Sequence, residues 1–177
     1  MRKNKKLYKI QKFKLIMEKI WPIPTVKKHL PKSKHKRGFA RNHEDKRFHA
    51  GVDILAPFGS DICAIENGVV RNVFLFTYPE LDKHYKYKNT HAIAIEHDDG
   101  NFALYCEIQK PKLKIGDKVK IGQKIAKVGM IFADKPKHTM LHFEYHNELP
   151  KETTKWYAGK KPKSLLNPTL YLKSCLK

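Results

Sequence analysis

An all-β fold of mainly antiparallel strands is what this 177-residue sequence predicts, on three observations. From Arg47 onward, short apolar runs alternate with clusters of Gly, Pro, Asn and Asp, which is how strands and their turns read in sequence. No run between those clusters reaches helical length. Between two of the runs stands Asp98-Asp99-Gly100, a tight-turn signal of the kind that joins antiparallel neighbours.

Ahead of the strands, Leu7, Ile10, Phe13, Met17 and Ile20 recur at spacings of three and four among lysines and arginines, which predicts a basic amphipathic helix over residues 1 to 20. Pro22 and Pro24 stop it at Trp21. Its apolar stripe either packs on the domain or lies on an anionic membrane. Thr25 to Lys46 is polar, basic and without period, and reads as an extended linker or arm whose His29, His35 and His43 are solvated. Strands are expected at Val52 to Leu55, Asp61 to Glu66, Gly68 to Phe76, His91 to His97, Phe102 to Ile108, Lys118 to Lys120, Gln123 to Val128 and Met140 to His146. Gly116-Asp117 and Gly122-Gln123 mark turns around the sixth of them. Thr77 to Asn89, rich in Tyr and Lys, reads as a surface loop beside a groove. The organisation is then residues 1–45 as helix and linker, 46–150 as the β-domain core, and 151–177 as an extension packing on it.

Thirty-seven Lys and Arg stand against 17 Asp and Glu, a formal net charge of +20. Such a surface attracts polyanions. Anionic wall polymers, a membrane leaflet and nucleic acid all qualify, and an ordinary solvated Lys-rich surface is the plain alternative. Nucleic acid is disfavoured, because no zinc-finger spacing, RNP-like aromatic run or helix-turn-helix pattern accompanies the charge. Cys63, Cys106 and Cys175 form no C-x-x-C pair, and the odd number argues for reduced thiols. No stretch has the length to cross a bilayer or the continuous apolar centre of a secretory signal.

The chemistry concentrates in Arg47-Phe48-His49-Ala50-Gly51-Val52-Asp53 and, ninety residues on, Leu141-His142-Phe143-Glu144. If each run lies in a strand, residues an even number of positions apart share a face, so His49 and Asp53 point together and His142 joins them. Two imidazoles and one carboxylate, with a fourth position left open, is the donor set of a catalytic zinc; structural zinc is usually closed by four Cys or His.

These runs, with Ala56-Pro57-Phe58-Gly59-Ser60, Asn67-Gly68-Val69-Val70, Asp98-Asp99-Gly100, Gly116-Asp117-Lys118-Val119, Val128-Gly129 and Asn167-Pro168, resemble the lysostaphin-type (LytM-like) zinc endopeptidases, which cut peptide cross-links of bacterial cell walls. The resemblance implies a LytM-like β core, Zn2+ held by His49, Asp53 and His142, and peptidoglycan or its peptides as partner of a monomeric chain. It also implies a cell-envelope or extracellular location, although no leader is recognised in this sequence, and a cytoplasmic location is the alternative if the family role does not hold. Arg47 is expected to pair with a carboxylate near the site or to contact substrate, and Tyr105 to donate a hydrogen bond toward the pocket.

Two positions depart from the family pattern. Met140 stands where the family carries the first His of His-x-His, and Glu107 where it carries the His of Tyr-x-His; those histidines orient and deprotonate water and stabilise the oxyanion. A thioether does neither. Glu107 has three readings: a replacement base, as carboxylates serve in H-E-x-x-H peptidases; a fourth ligand; or a surface substitution in a lineage without activity. The functional readings are a zinc endopeptidase of wall peptides, or a zinc-bearing binding or regulatory module that recognises wall or a partner hydrolase without cutting. His138 and His91 receive no role, and His97 and His146 are read as structural or exposed.

Overall fold

Alternation along the apolar runs produces eight strands among the residues that the computed structural model describes, which are 19–32, 35–42, 46–81, 86–135, 137–157 and 159–176. In chain order they are β1 (Val52–Leu55), β2 (Asp61–Cys63), β3 (Gly68–Leu75), β4 (His91–His97), β5 (Phe102–Ile108), β6 (Lys118–Val119), β7 (Lys124–Lys127) and β8 (Met140–His146). Six of them form one antiparallel sheet in the order β1-β8-β5-β4-β3-β6, and β2 pairs with β7 in a separate ribbon. The expected all-β class therefore holds.

Sheet register does the first work of building a site. Asp53 on β1 lies directly opposite His142 on β8, and His142 lies opposite Cys106 on β5. Directly opposed residues bring their Cβ atoms to within about 5 Å. Both faces of the central strands are covered, so Ala92, Ile93, Ala94 and Ile95 of β4 are all buried. One face carries the main core, with Ile93, Ile95, Tyr105, Phe143 and the ribbon's Ile62 and Ile125. The other carries a smaller cluster of Phe76, Ala92, Ala94, Leu104 and Cys106, which underlies the site. The three thiols are free and buried.

The turn at Asp98 forms as expected. His97 N–H donates to Asn101 O, Gly100 N–H to His97 O, and Gly100 takes φ +79°, the left-handed conformation that closes this hairpin. His97 is buried with Nδ1 donating to Asn67 O, as a structural histidine does.

The segment before β1 and the stretch after β8 differ from the sequence expectation. The helix expected over 1–20 lies outside the described residues except for Lys19 and Ile20. Trp21 and Ile23, immediately after it, are buried in the main core, and Cys63 N–H donates to Pro22 O. Burying side chains of that size contributes roughly 2–3 kcal/mol each. This stretch therefore belongs to the domain rather than to a free linker. Residues 37–41 also pack: Asp53 N–H donates to Arg37 O, Ala40 N–H to His49 O and His49 N–H to Arg41 O. His29 and His35 are exposed, and His43 lies outside the described residues.

A short helix, α1 (Pro168–Lys173), follows the strands. Asn167 caps it by accepting from Thr169 N–H at 3.0 Å, and Pro168 fills the first turn, where its missing N–H costs nothing. Tyr171 stacks on Tyr145 at 4.1 Å, and Leu172 and Cys175 enter the core. The Tyr171 hydroxyl hydrogen-bonds Glu66, which also pairs with Lys19, so α1 and the segment at residue 19 meet on the same carboxylate.

Candidate metal centre

Three acceptor atoms converge at the β1–β8 end of the sheet. His49 Nε2 lies 3.0 Å from Asp53 Oδ1 and 3.1 Å from His142 Nδ1, and the last two are 2.8 Å apart. Among the described residues this is the group of imidazole and carboxylate atoms close enough to share an ion. Asp53 and His142 are placed by strand register. His49, expected in a strand, instead sits three residues ahead of β1, in the segment paired with residues 40 and 41.

Each ring is oriented by its other nitrogen. His49 Nδ1 lies 2.9 Å from Gly38 O, so it carries the proton and Nε2 presents a lone pair to the cluster. His142 Nε2 lies 3.0 Å from Glu144 Oε1, which can only accept, so Nδ1 is the atom turned inward. Gly51 makes room: a Cβ there would stand 2.6 Å from His142 Nε2 and 2.7 Å from Phe143 O.

Burial alone would raise the Asp53 carboxyl, yet a hydrogen bond from His142, its charge and the adjoining His49 ring hold it well below the usual carboxylate range. Burial alone would discharge His142, but its bonds to Asp53 and Glu144 and their negative charges hold its proton far more tightly than usual. Without a metal, a proton on His142 thus does the work of a cation between two carboxylates. The triangle of donors, with edges of 2.8–3.1 Å, is slightly tighter than the about 3.3 Å between tetrahedral ligands at about 2.0–2.1 Å from zinc, a spacing that a small outward shift of the rings reaches. The residues present therefore fit zinc.

Behind this set stands Glu144, whose role the sequence reading missed. It is buried and ionised: hydrogen bonds from His142 and His146 overcome the burial that would otherwise raise its carboxyl. Its Oε2 accepts from His146 Nε2 at 2.7 Å and from Thr154 Oγ1 at 2.5 Å. The signal was available, because His142, Glu144 and His146 follow at spacings of two and so share one face of β8. His146 is accordingly structural.

The cluster opens on a cavity of about 240 Å3, which Arg47, Met140 and Glu107 also line. Arg47 forms a bridge with Tyr157 and reaches the cavity rim. The loop after β3 contributes Leu81 and Tyr87 to the wall, and Tyr87 stacks on Phe132 at 5.2 Å. His138 is exposed, as expected.

Tyr105 and Glu107, two residues apart, do not share a face. Tyr105 is wholly buried in the main core, and its hydroxyl accepts from Ile65 N–H at 3.0 Å instead of pointing into the pocket. The reason is a bulge in β5: pairing with β4 skips from Cys106 to Ile108, and Glu107 adopts φ +62°. A bulge resets the alternation. Cys106 remains over the site face, Ile108 falls into the main core, and Glu107 swings toward the cavity. Its Oε2 is buried without a hydrogen-bond partner, so the reading of Glu107 as a surface substitution is wrong. Burial, and after it the Asp53 charge, push its carboxyl up to about 8, with His142 pulling the other way. Glu107 stands outside the group of atoms able to share an ion.

The sequence model of peptidase family M23 matches residues 47–155. A curated relative from Buchnera aphidicola subsp. Baizongia pistaciae, described as an uncharacterized metalloprotease, is 30% identical over 96 residues, covering 54% of this chain and 22% of its own. The chain thus spans about a fifth of that relative's length. A zinc-containing peptidase from Vibrio cholerae is similar in structure at 25% identity, with a TM-score of 0.51 over 80% of this chain and 40% of the other. The catalytic domain of the prophage-encoded M23 protein EnpA from Enterococcus faecalis shares the fold at 23% identity, with a TM-score of 0.52 over 77% and 88% of the two chains. Lysostaphin from Staphylococcus simulans shares it at 22% identity, with a TM-score of 0.54 over 78% and 49%.

Proposed function

The chain belongs to peptidase family M23, whose members are zinc metallopeptidases, and we propose that it is an endopeptidase of peptidoglycan cross-link peptides, with His49, Asp53 and His142 holding zinc and Glu107 serving as base. The observation that carries this reading is the convergence of three acceptor atoms within 3.1 Å of one another beside a buried carboxylate that faces the same cavity. The ion supplies Lewis acidity, lowering the pKa of water toward 7 and polarising a carbonyl.

The chain's own residues supply the rest. Gly38 O and Glu144 fix the two rings so that one nitrogen of each faces inward. Glu107 accepts the proton of the attacking water at its cavity-facing carboxylate and later returns it to the leaving amine. Held at about 8 in the metal-free chain, the carboxyl is mostly protonated at pH 7, so it acts as base through its ionised fraction, which a cation bound beside it would enlarge, and as acid through its protonated form. Phe76 and Phe132 give the cavity an apolar wall against which an extended peptide would lie. Arg47 at the rim is suited to a substrate carboxylate or carbonyl.

A second reading, a zinc-bearing module that binds wall peptides or a partner hydrolase without cutting, is favoured by Met140. It lines the cavity where the family pattern has a histidine, and it offers no donor to an oxyanion. The location proposed with either reading is the cell envelope; among the described residues no helix is long and apolar enough to cross a membrane.

Release of soluble peptide from purified peptidoglycan by zinc-loaded protein, beside Glu107→Gln and His142→Ala, separates the two. Release that falls at least 100-fold in both variants supports the enzyme. Absence of release by a wild type holding one zinc per chain supports the binding module.

A further inference from the structure

The bulge that aims Glu107 is held from outside its own sheet. The end of the β2–β7 ribbon crosses the end of β5, with Ile108 and Val128 bridged and Gln109 N–H donating to Lys127 O at 2.8 Å. Gly129 completes the pairing by donating its N–H to Glu107 O at 2.8 Å. Gln109 Nε2 adds a bond to Val128 O at 3.2 Å. Glu107 is one of three non-glycine residues with positive φ among those described, a conformation that L side chains disfavour. A residue kept there is over-determined by its surroundings.

Gly129 approaches too closely to be anything but glycine. A Cβ there would lie 2.7 Å from Glu107 O, 3.0 Å from Ile108 C and 3.2 Å from Glu107 C, and all three atoms are backbone, which cannot rotate away. An added methyl must therefore push the bulge. Regular pairing of β5 would return residue 107 to the core face, beside Tyr105.

The geometry points to Gly129 as a positioning residue for the reaction: its peptide clamps the Glu107 carbonyl, and so the ribbon's end fixes where the Glu107 carboxylate stands in the cavity. This rests on the reading of Glu107 as base. Without the clamp the carboxylate would lose its place while the His49, Asp53 and His142 cluster, built on β1 and β8, would keep its own.

A double-mutant cycle tests it on the full chain, loaded with zinc for activity and with Co(II) for spectroscopy. Gly129→Ala is expected to keep one metal per chain and to lower peptide release at saturating wall concentration by about 100-fold, the scale of a misplaced catalytic group. It is also expected to alter the pH profile of the Co(II) visible band. In the Glu107→Gln background the same substitution is expected to change neither readout further, because the group it acts through is gone. Gln109→Ala, which loosens the clamp without a clash, is expected to act in the same direction more weakly. Equal effects of Gly129→Ala in both backgrounds, or no effect of either clamp variant on release and band, would overturn the proposal. If wild type releases no peptide, the reading of Glu107 as base fails by itself. The Co(II) cycle then still decides, coupling in the band supporting the clamp and additivity overturning it.

Discussion

Glu144→Gln replaces one oxygen by an amide in a site where the carboxylate receives three donors, from His142 at 3.0 Å, His146 at 2.7 Å and Thr154 at 2.5 Å. Glutamine has one acceptor atom, so it can keep one histidine partner, and its NH2 then faces a donor. Each buried donor left without an acceptor costs about 1–3 kcal/mol, so the metal-free chain is expected to lose about 2 kcal/mol of stability. Zinc is expected to feel the change separately. The ring of His142 loses the carboxylate that turns Nδ1 inward and raises its basicity, an outer-shell contribution of about 10- to 100-fold in metal affinity. Competition against a chromogenic chelator at pH 7 gives the affinity, and a urea titration of the metal-free chain gives the stability. Wild-type affinity in the variant would refute the reasoning, because His142 would then be oriented by something other than Glu144. Glu144→Ala, which leaves all three donors bare, is expected to be worse on both counts.

Other perturbations follow from the same geometry. Since His142 holds its proton well above its ordinary range in the metal-free chain, zinc must displace it, and binding at pH 7 should release about one proton per ion and strengthen as pH rises. Calorimetry in buffers of different ionisation enthalpy measures this, and zero release would contradict the protonated state. Gly51→Ala places a methyl 2.6 Å from His142 Nε2; it should weaken zinc by at least about 10-fold and destabilise the chain by about 1–3 kcal/mol, with wild-type values on both counts the contrary result. Glu107→Gln removes a carboxyl that titrates near 8 when folded and near 4.5 ordinarily. Between those values the folded chain binds more protons than the unfolded one, so wild-type stability declines as pH rises through that window. The metal-free variant should therefore gain on wild type from pH 4.5 to 8 by at most about 5 kcal/mol, and a difference that does not change with pH would contradict the burial of this carboxyl.

The strands were legible because their chemistry is local. Alternating apolar residues between turn glycines located all eight, and the H-x-x-x-D and L-H-F-E runs pointed to side chains that do come together, Asp53 and His142 through the β1–β8 register. What escaped was set by backbone or by distance. Gly38 orients His49 through a carbonyl, and residues 37–41 pair through main-chain bonds, neither of which leaves a mark in side-chain pattern. Tyr105 was misplaced because its role was carried over from the Tyr-x-His position of the family, whereas its register opposite Phe143 turns it into the main core; the break that turns Glu107 to the cavity depends on contact with a ribbon twenty residues further on. The helix at Pro168 is too short for periodicity, although Asn167-Pro168 carries a cap and a first-turn proline that announce it.

Anomalous diffraction from crystals of the zinc-loaded chain, collected on both sides of the zinc absorption edge, tests the central claim most directly. The account predicts one ion bonded at about 2.0–2.2 Å to His49 Nε2, His142 Nδ1 and Asp53 Oδ1, with the Glu107 carboxylate beyond bonding distance and facing the open position. An ion with Glu107 as a fourth protein ligand, or an ion seated away from these three residues, would contradict it.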